Sequence, residues 1–327
     1  MSDETFMITG SMGCIGSWVM RNLVAQGVRV VATDITLEPV RPRLLMSDEE
    51  LGRVMFARMD VTDLNNVKSV VEDHRVTHII HLAGLQVPFC RANPSVGAHV
   101  NVVGTVNIFE AARAFWSQVQ GVAYASSLAV LGPDEYYANK PVKDSAPLHP
   151  QTLYGVYKQA NEGTARLYWQ DWQIPSVGLR PYIVYGVARD QGMTSDIAKA
   201  LLAVAADRPF RIRFDGPVAL QYANDVANMF IACARSGYQG AAACNLRNDV
   251  VDVSDFVALL NEGYAGADIT HVTGQSLPFP ADLDDGGLQS IIGSVPHTPL
   301  AVAAGETVAA FRDLLAAGKM DTAQLAV

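Results

Sequence analysis

The apolar positions of the chain fall into short compact runs separated by longer stretches of helical period. Residues 6–9, 28–33, 54–59, 77–82, 121–125 and 176–180 are the compact runs. Apolar runs of this length without strict alternation read as strands buried on both faces. Between them, apolar residues recur at three- and four-residue spacing. Trp18, Val19, Leu23 and Val24 do so after the first run, and residues 95–116 and 153–172 do so over longer spans. That spacing lines one face of a helix, and Asp63 stands where it caps the helix after the third strand. Strands alternating with helices predict an α/β fold built on a doubly wound parallel sheet. The order loosens after Tyr185-Gly186. Residues 196–206 and 221–235 read as helices, 210–214 and 241–246 as strands, and 302–315 as a last amphipathic helix.

Composition narrows the class without changing this picture. The chain has 327 residues, half of them hydrophobic and 17% charged, enough for a large core. A net charge of −9 speaks against a nucleic-acid partner, which asks for a basic face. No apolar run is long enough to span a bilayer. The acidic start runs straight into a strand with no signal peptide visible, so a cytoplasmic protein is expected. Cys14, Cys90, Cys233 and Cys244 are scattered and read as free thiols. The histidines do not cluster with carboxylates, so no metal site is expected.

Candidate chemistry collects at the ends of the strands. Gly10, Gly13 and Gly16 lie between the first strand and first helix, with Cys14 and Ile15 among them. Glycines there allow a tight turn, a close approach by a pyrophosphate and an open helix N-terminus. The spacing is a variant of the usual dinucleotide fingerprint. Asp34 closes the second strand, where a carboxylate accepts ribose hydroxyls and repels a 2′-phosphate, so NAD is expected over NADP. Arg41 and Arg43 follow and weaken that preference. Asp60-Val61 ends the third strand, either beside an adenine or as a plain turn. His81 ends the fourth, ahead of Leu82, Ala83 and Gly84, and is expected to be a buried structural histidine. Ser126-Ser127 ends the fifth.

Tyr154 and Lys158 stand four apart in residues 153–172, hence on one helix face. A tyrosine alone is a poor base, with an ordinary pKa of about 10. A neighbouring ammonium is expected to lower it toward working range.

In sum these marks resemble the extended short-chain dehydrogenase/reductases, the branch with sugar epimerases and dehydratases. The resemblance rests on Thr9-Gly-Ser-Met-Gly-Cys-Ile-Gly16, His81-Leu-Ala-Gly84, Asn101-Val-Val-Gly-Thr105, Tyr124-Ala-Ser-Ser-Leu-Ala-Val-Leu-Gly132, Tyr154 with Lys158, and Leu179-Arg-Pro181 before Val184-Tyr-Gly186. It implies a Rossmann-type sheet with a smaller C-terminal α/β substrate lobe. Residues 1–185 with 221–247 would hold NAD, and 186–220 with 248–327 the substrate. It implies Tyr154 as acid/base, Lys158 as holder of the nicotinamide ribose, and Ser127 as partner of the substrate oxygen. Asn101 and Ser126 would lie on the cofactor side, and Pro181 to Ile183 would meet the nicotinamide amide. Tyr157 has the wrong spacing for the pair. A homodimer through the helices at 95–116 and 153–172 is also implied.

The departures bear on substrate. Nucleotide-sugar members carry an Asn in the segment that here reads Arg180-Pro-Tyr-Ile183, and an arginine before the helix that here begins Asn224-Asp-Val-Ala227. Both diphosphate anchors are missing, so a substrate without a nucleotide is expected. Gln86, Arg189 and Arg213 are its candidate contacts; Arg211 is a further cation in the same region. Leu128-Ala129 replaces the acidic pair that dehydratases place after the serine. The expected function is NAD-dependent oxidation, or reversible reduction, of a small polar alcohol such as a sugar, sugar acid or sugar-like hydroxy compound. The alternatives are an epimerase without net redox and a non-catalytic NAD-sensing regulator.

Overall fold

The computed structural model describes residues 4–325. Its centre is a seven-stranded sheet of β1 (Thr5–Thr9), β2 (Arg29–Asp34), β3 (Met55–Arg58), β4 (His78–His81), β5 (Gly121–Ala125), β6 (Ser176–Arg180) and β10 (Ala241–Asn245). Every pairing in it is parallel. The order is β10-β6-β5-β4-β1-β2-β3. The chain builds one way from β1 to β3 and the other way from β4, so the order reverses between β1 and β4. A crevice for a ligand opens at the carboxyl ends of the strands at such a reversal.

Helices cover both faces: α1 (Cys14–Ala25), α2 (Asp48–Leu51), α3 (Leu64–Asp73), α4 (Val87–Ala92), α5 (Pro94–Ala98), α6 (Gly104–Ala114), α7 (Leu153–Trp172), α8 (Asp196–Ala205), α9 (Ala223–Arg235), α10 (Val253–Gly263), α11 (Gly286–Ile292) and α12 (Leu300–Ala316). Phe6 and Ile8 of β1 face a core with α1 and α9, while Met7 faces a core with α3, α6 and Tyr168 of α7. Two apolar faces explain why the central strands show unbroken runs. Asp63 caps α3 by accepting from the backbone N–H groups of Asn65 and Asn66, as the sequence predicts. Thr152 caps α7 through the N–H of Gly155.

The second half differs from the pattern-based reading. The strands β7 (Ile183–Tyr185), β9 (Pro217–Tyr222) and β11 (Asp249–Asp252) form a second sheet, and β8 (Phe210–Ile212) pairs with β12 (Ile269–His271). The expected helix at 221–235 therefore starts at Ala223, because Val218 to Tyr222 are buried, the first part paired with β11 and Leu220 to Tyr222 with β7. The expected long helix 95–116 also changes. It passes through a π-helical turn at His99–Val103, which brings Asn101 to full burial, and ends at Ala114.

Candidate active site

Gly10 leaves β1 with φ +66°, and a side-chain carbon on it would stand 2.7 Å from the N of Ala83. Only glycine suits both the backbone sign and the contact. The neighbouring strand end is pinned from below: the N–H groups of Leu82 and Ala83 donate to Thr9 Oγ1. No side chain caps α1 at Gly13, so its first N–H groups remain available to an anion. Cys14 and Ile15 begin that helix half-buried, and burial pushes the Cys14 thiol up to about 11. That shift disfavours the thiolate.

Asp34 ends β2 and accepts from the N–H groups of Met12 and Ile35 at 3.2 and 2.8 Å. Arg41 and Arg43 are both committed. Arg41 pairs with Asp190 and donates to Met12 O, and Arg43 pairs with Glu38. Neither offers a free guanidinium to a 2′-phosphate. Asp60 is a turn former, its carboxylate taking the N–H and hydroxyl of Thr62, and Val61 is buried beneath Gly104.

His81 is buried between the hydroxyls of Thr9 and Thr105, at 2.7 and 3.1 Å. Burial first, then the charge of Lys158, hold its pKa down to about 3. It is a neutral structural bridge, as the sequence reading expects.

The chemistry-bearing groups meet beside β4 and β5. Ser127 follows β5; its hydroxyl accepts from Ala129 N at 3.1 Å and lies near enough to the Tyr154 phenol to favour its phenolate. Lys158 is 3% exposed; its Nζ donates to Ala125 O at 2.7 Å and stands 5.6 Å from the Tyr154 ring centre. Burial pulls its pKa down to about 8. Tyr157 points elsewhere, donating to Pro94 O.

Tyr154 departs from one expectation. Its phenol lies above its ordinary range, because burial outweighs the hydrogen bond from Ser127 and the positive charge of Arg189. Lys158 does not lower it as the four-residue spacing suggests. The spacing puts the pair on one face but says nothing about how dry that face is.

The residues fit NAD. Asn101 Oδ1 is buried without a partner, while its Nδ2 donates to Leu85 O and Gly97 O. A carbon on Gly84 would stand 2.7 Å from that Oδ1 and 3.4 Å from Lys158 Nζ. An unpartnered acceptor and a buried ammonium with one hydrogen bond thus flank a side-chain-free strand end. Buried polar groups of this kind call for a polar occupant.

Other placements revise the candidates. The Ser126 hydroxyl donates to Glu162 Oε1 at 2.5 Å, so its proton is committed within the protein. Glu162 in turn takes a bidentate pair from Arg180, 2.8 Å on each side. Arg180 also donates to Asp144 O and Asn245 Oδ1. Sequence reading missed Glu162, although it lies one turn beyond Lys158 on the same face; an arginine closing a buried strand was the signal. Pro181 O accepts from Leu128 N, and Ile183 is buried in β7.

Arg213 is withdrawn from the substrate set. It donates to Asp196 from Nε and Nη2 at 2.9 and 2.7 Å, because a fully buried carboxylate needs a charged partner. Arg211 is exposed. Arg189 and Gln86 lie together: the point where a carbon on Gly192 would stand is 3.1 Å from Arg189 Nη2 and 2.8 Å from Gln86 Oε1.

Among the described residues there is no cluster of metal-binding side chains and no helix long and apolar enough to cross a membrane. All four cysteines are free.

Known proteins resemble this chain in sequence and in fold. A family model described as the NAD dependent epimerase/dehydratase family matches residues 6–246. The protein CapI of Staphylococcus aureus is 31% identical over 186 residues, which span 55% of this chain and 54% of that one. A UDP-glucose 4-epimerase of Mycolicibacterium smegmatis is 31% identical over 231 residues, 69% of this chain and 71% of that one. Among solved structures, a partial consensus L-threonine 3-dehydrogenase superposes with a TM-score of 0.81 at 20% identity, covering 94% of this chain and 99% of the other. A Thermotoga maritima UDP-glucose 4-epimerase gives 0.80 at 20% identity, covering 95% and 99%. The two structural likenesses speak for the fold, and the first two relatives and the family model for descent: this chain belongs to the NAD dependent epimerase/dehydratase family.

Proposed function

We propose that the chain is an NAD-dependent dehydrogenase of a small polar alcohol, a sugar, sugar acid or sugar-like hydroxy compound that carries no nucleotide. The observation that carries the reading is the meeting of Tyr154, Ser127 and Lys158 beside a glycine loop whose helix has no side-chain cap. The absence of a nucleotide is read from the chain's own residues. The stretch Val218 to Tyr222, where nucleotide-sugar members carry an arginine, is a buried strand without a cation. In the segment Arg180 to Ile183, where those members carry an asparagine last, the last residue is the fully buried Ile183.

The chemistry NAD supplies when bound is acceptance of a hydride from the carbinol carbon. The protein's part is proton transfer and positioning. Tyr154 takes the hydroxyl proton on its phenolic oxygen in oxidation and returns it in reduction. Ser127 holds the same substrate oxygen by hydrogen bonding. Lys158, fixed by Ala125 O, holds the ribose. We read residues 1–185 with 221–247 as the cofactor half, and 186–220 with 248–327 as the substrate half.

A second reading has one observation in its favour, the UDP-glucose 4-epimerase relative. An epimerase would use the same residues and return the hydride to the substrate. Purified protein with NAD and a panel of sugars, sugar acids and hydroxy acids separates the two. A dehydrogenase accumulates NADH absorbance; an epimerase gives isomerised product with cofactor that survives gel filtration. If neither appears across the panel, the proposal fails.

We also propose a homodimer. Val96 and Val103 near α5 and α6, and Val156 and Leu167 on α7, are exposed apolar residues on neighbouring helices. Analytical ultracentrifugation is expected to show twice the chain mass, and a monomer at micromolar concentration would count against it.

A further inference from the structure

Arg189 lies in the loop between β7 and α8, and that loop is fastened on both sides of it. Trp18 Nε1 donates to Val187 O at 3.0 Å. Asp190 takes three hydrogen bonds from Arg41. The carboxylate adjacent to Arg189 in sequence is therefore turned away from it. Arg189 itself makes no ion pair among the described residues. Its one side-chain hydrogen bond runs from Nη2 to Thr194 Oγ1 at 3.2 Å. Its Nε is shut off from water and has no partner, the only arginine nitrogen of the described residues in that state.

A shielded guanidinium edge without an acid is an unfinished site. Donors on a guanidinium edge match the two oxygens of a carboxylate. Gln86 comes to the same place from another element. It is the N-cap of α4, which packs against α7 and so lies on the Tyr154 side of the crevice. Its amide makes no hydrogen bond within the described chain, and it approaches Arg189 across Gly192. Gly192 has φ +105° there, and a side chain on it would fill the gap between them. The charge of Arg189 also reaches the phenol of Tyr154. A carboxylate held here thus lies within electrostatic reach of the group that takes the hydroxyl proton.

We infer that Arg189 and Gln86 form a receptor for a carboxylate of the substrate, so that the alcohol this site takes is a small hydroxy acid. The inference rests on the dehydrogenase reading for the reaction but not for the binding. The competing role for Arg189 is the diphosphate of NAD, since its charge also reaches Cys14 at the glycine loop.

The test uses NAD-saturated full-length protein and matched probes: glycerate with glycerol, erythronate with erythritol, gluconate with sorbitol. At least one acid is expected to raise the melting temperature, and its matched polyol is not. Arg189→Gln is expected to weaken the acid by about tenfold to a hundredfold, the worth of a charged hydrogen-bond pair. Arg189→Lys keeps the charge without the fork and is expected to fall between. The Kd for NAD is expected to stay the same in both variants. Three results overturn the inference: polyols that bind as well as acids, an Arg189→Gln variant that keeps the acid response, or one that loses NAD. Acids that bind through Arg189 without forming NADH would leave the receptor standing and remove the dehydrogenase reading. NADH formed from polyols alone would do the reverse.

Discussion

Replacing Tyr154 by Phe is expected to lower kcat by about a hundredfold to ten-thousandfold, the usual worth of a positioned acid/base, while the Kd for NAD stays within about twofold. No other group of the site can take over the proton. Ser127 is a hydroxyl with no base behind it: its oxygen accepts from Ala129 N, and its other contact is Tyr154 itself. Lys158 is held at Ala125 O, and His81 is buried between two threonines with its pKa far below neutrality. Steady-state rates with a turned-over alcohol and a fluorescence titration with NAD check both halves. A variant that keeps a tenth or more of the wild-type rate would falsify the role. The direction of the Tyr154 shift adds a pH signature. Burial holds the phenol up, and oxidation needs the deprotonated form, so the oxidative rate is expected to climb with pH through neutrality. Reduction uses the protonated form and is expected to hold level over the same range.

Lys158→Met is expected to abolish activity and at the same time to stabilise the protein near neutral pH. The wild-type ammonium is buried, and its pKa falls from 10.5 to about 8. The unfolded chain therefore binds this proton more tightly than the folded one. Below the folded value the charge costs stability in full, and the cost disappears as pH rises to the unfolded value. The shift corresponds to roughly 3 kcal/mol, against about 1 kcal/mol for the lost hydrogen bond to Ala125 O. A net gain of about 2 kcal/mol is expected at pH 7. Chemical denaturation at pH 7 and pH 10 measures it, with the gain shrinking at the higher pH. Equal or lower stability of the variant at pH 7 would show that Lys158 is already compensated.

How far all this was legible differs from element to element. The first half announces itself because each central strand is buried on both faces and each helix carries a stripe, so the two periods alternate cleanly. The bounds Leu153–Trp172 match the pattern end to end because Thr152 caps one end and Gln173 leaves the other in a left-handed conformation. The stretch Val218–Tyr222 was not legible as a strand. Its burial comes from partners at 183–185 and 249–252, neither of which its own residues reveal. Tyr154 and Lys158 were recognisable as one face of a helix, but the direction of the tyrosine shift depends on what covers it. Arg189 and Arg213 look alike in the sequence. Only folding shows that Asp196 neutralises one while Asp190 turns from the other to Arg41.

The Glu162–Arg180 pair has a consequence for how this sequence can vary. It joins α7, β5 through Ser126, β6, and β10 through Asn245 in one buried knot. Removing one member strands the other charge in the core, at a cost of about 3–5 kcal/mol. That is a large share of the roughly 5–15 kcal/mol that holds a domain folded. Neither position can drift alone. An exchange of the pair for an apolar one must arrive as a coupled change, so the ends of β5, β6 and β10 and the middle of α7 are tied to one another at this point.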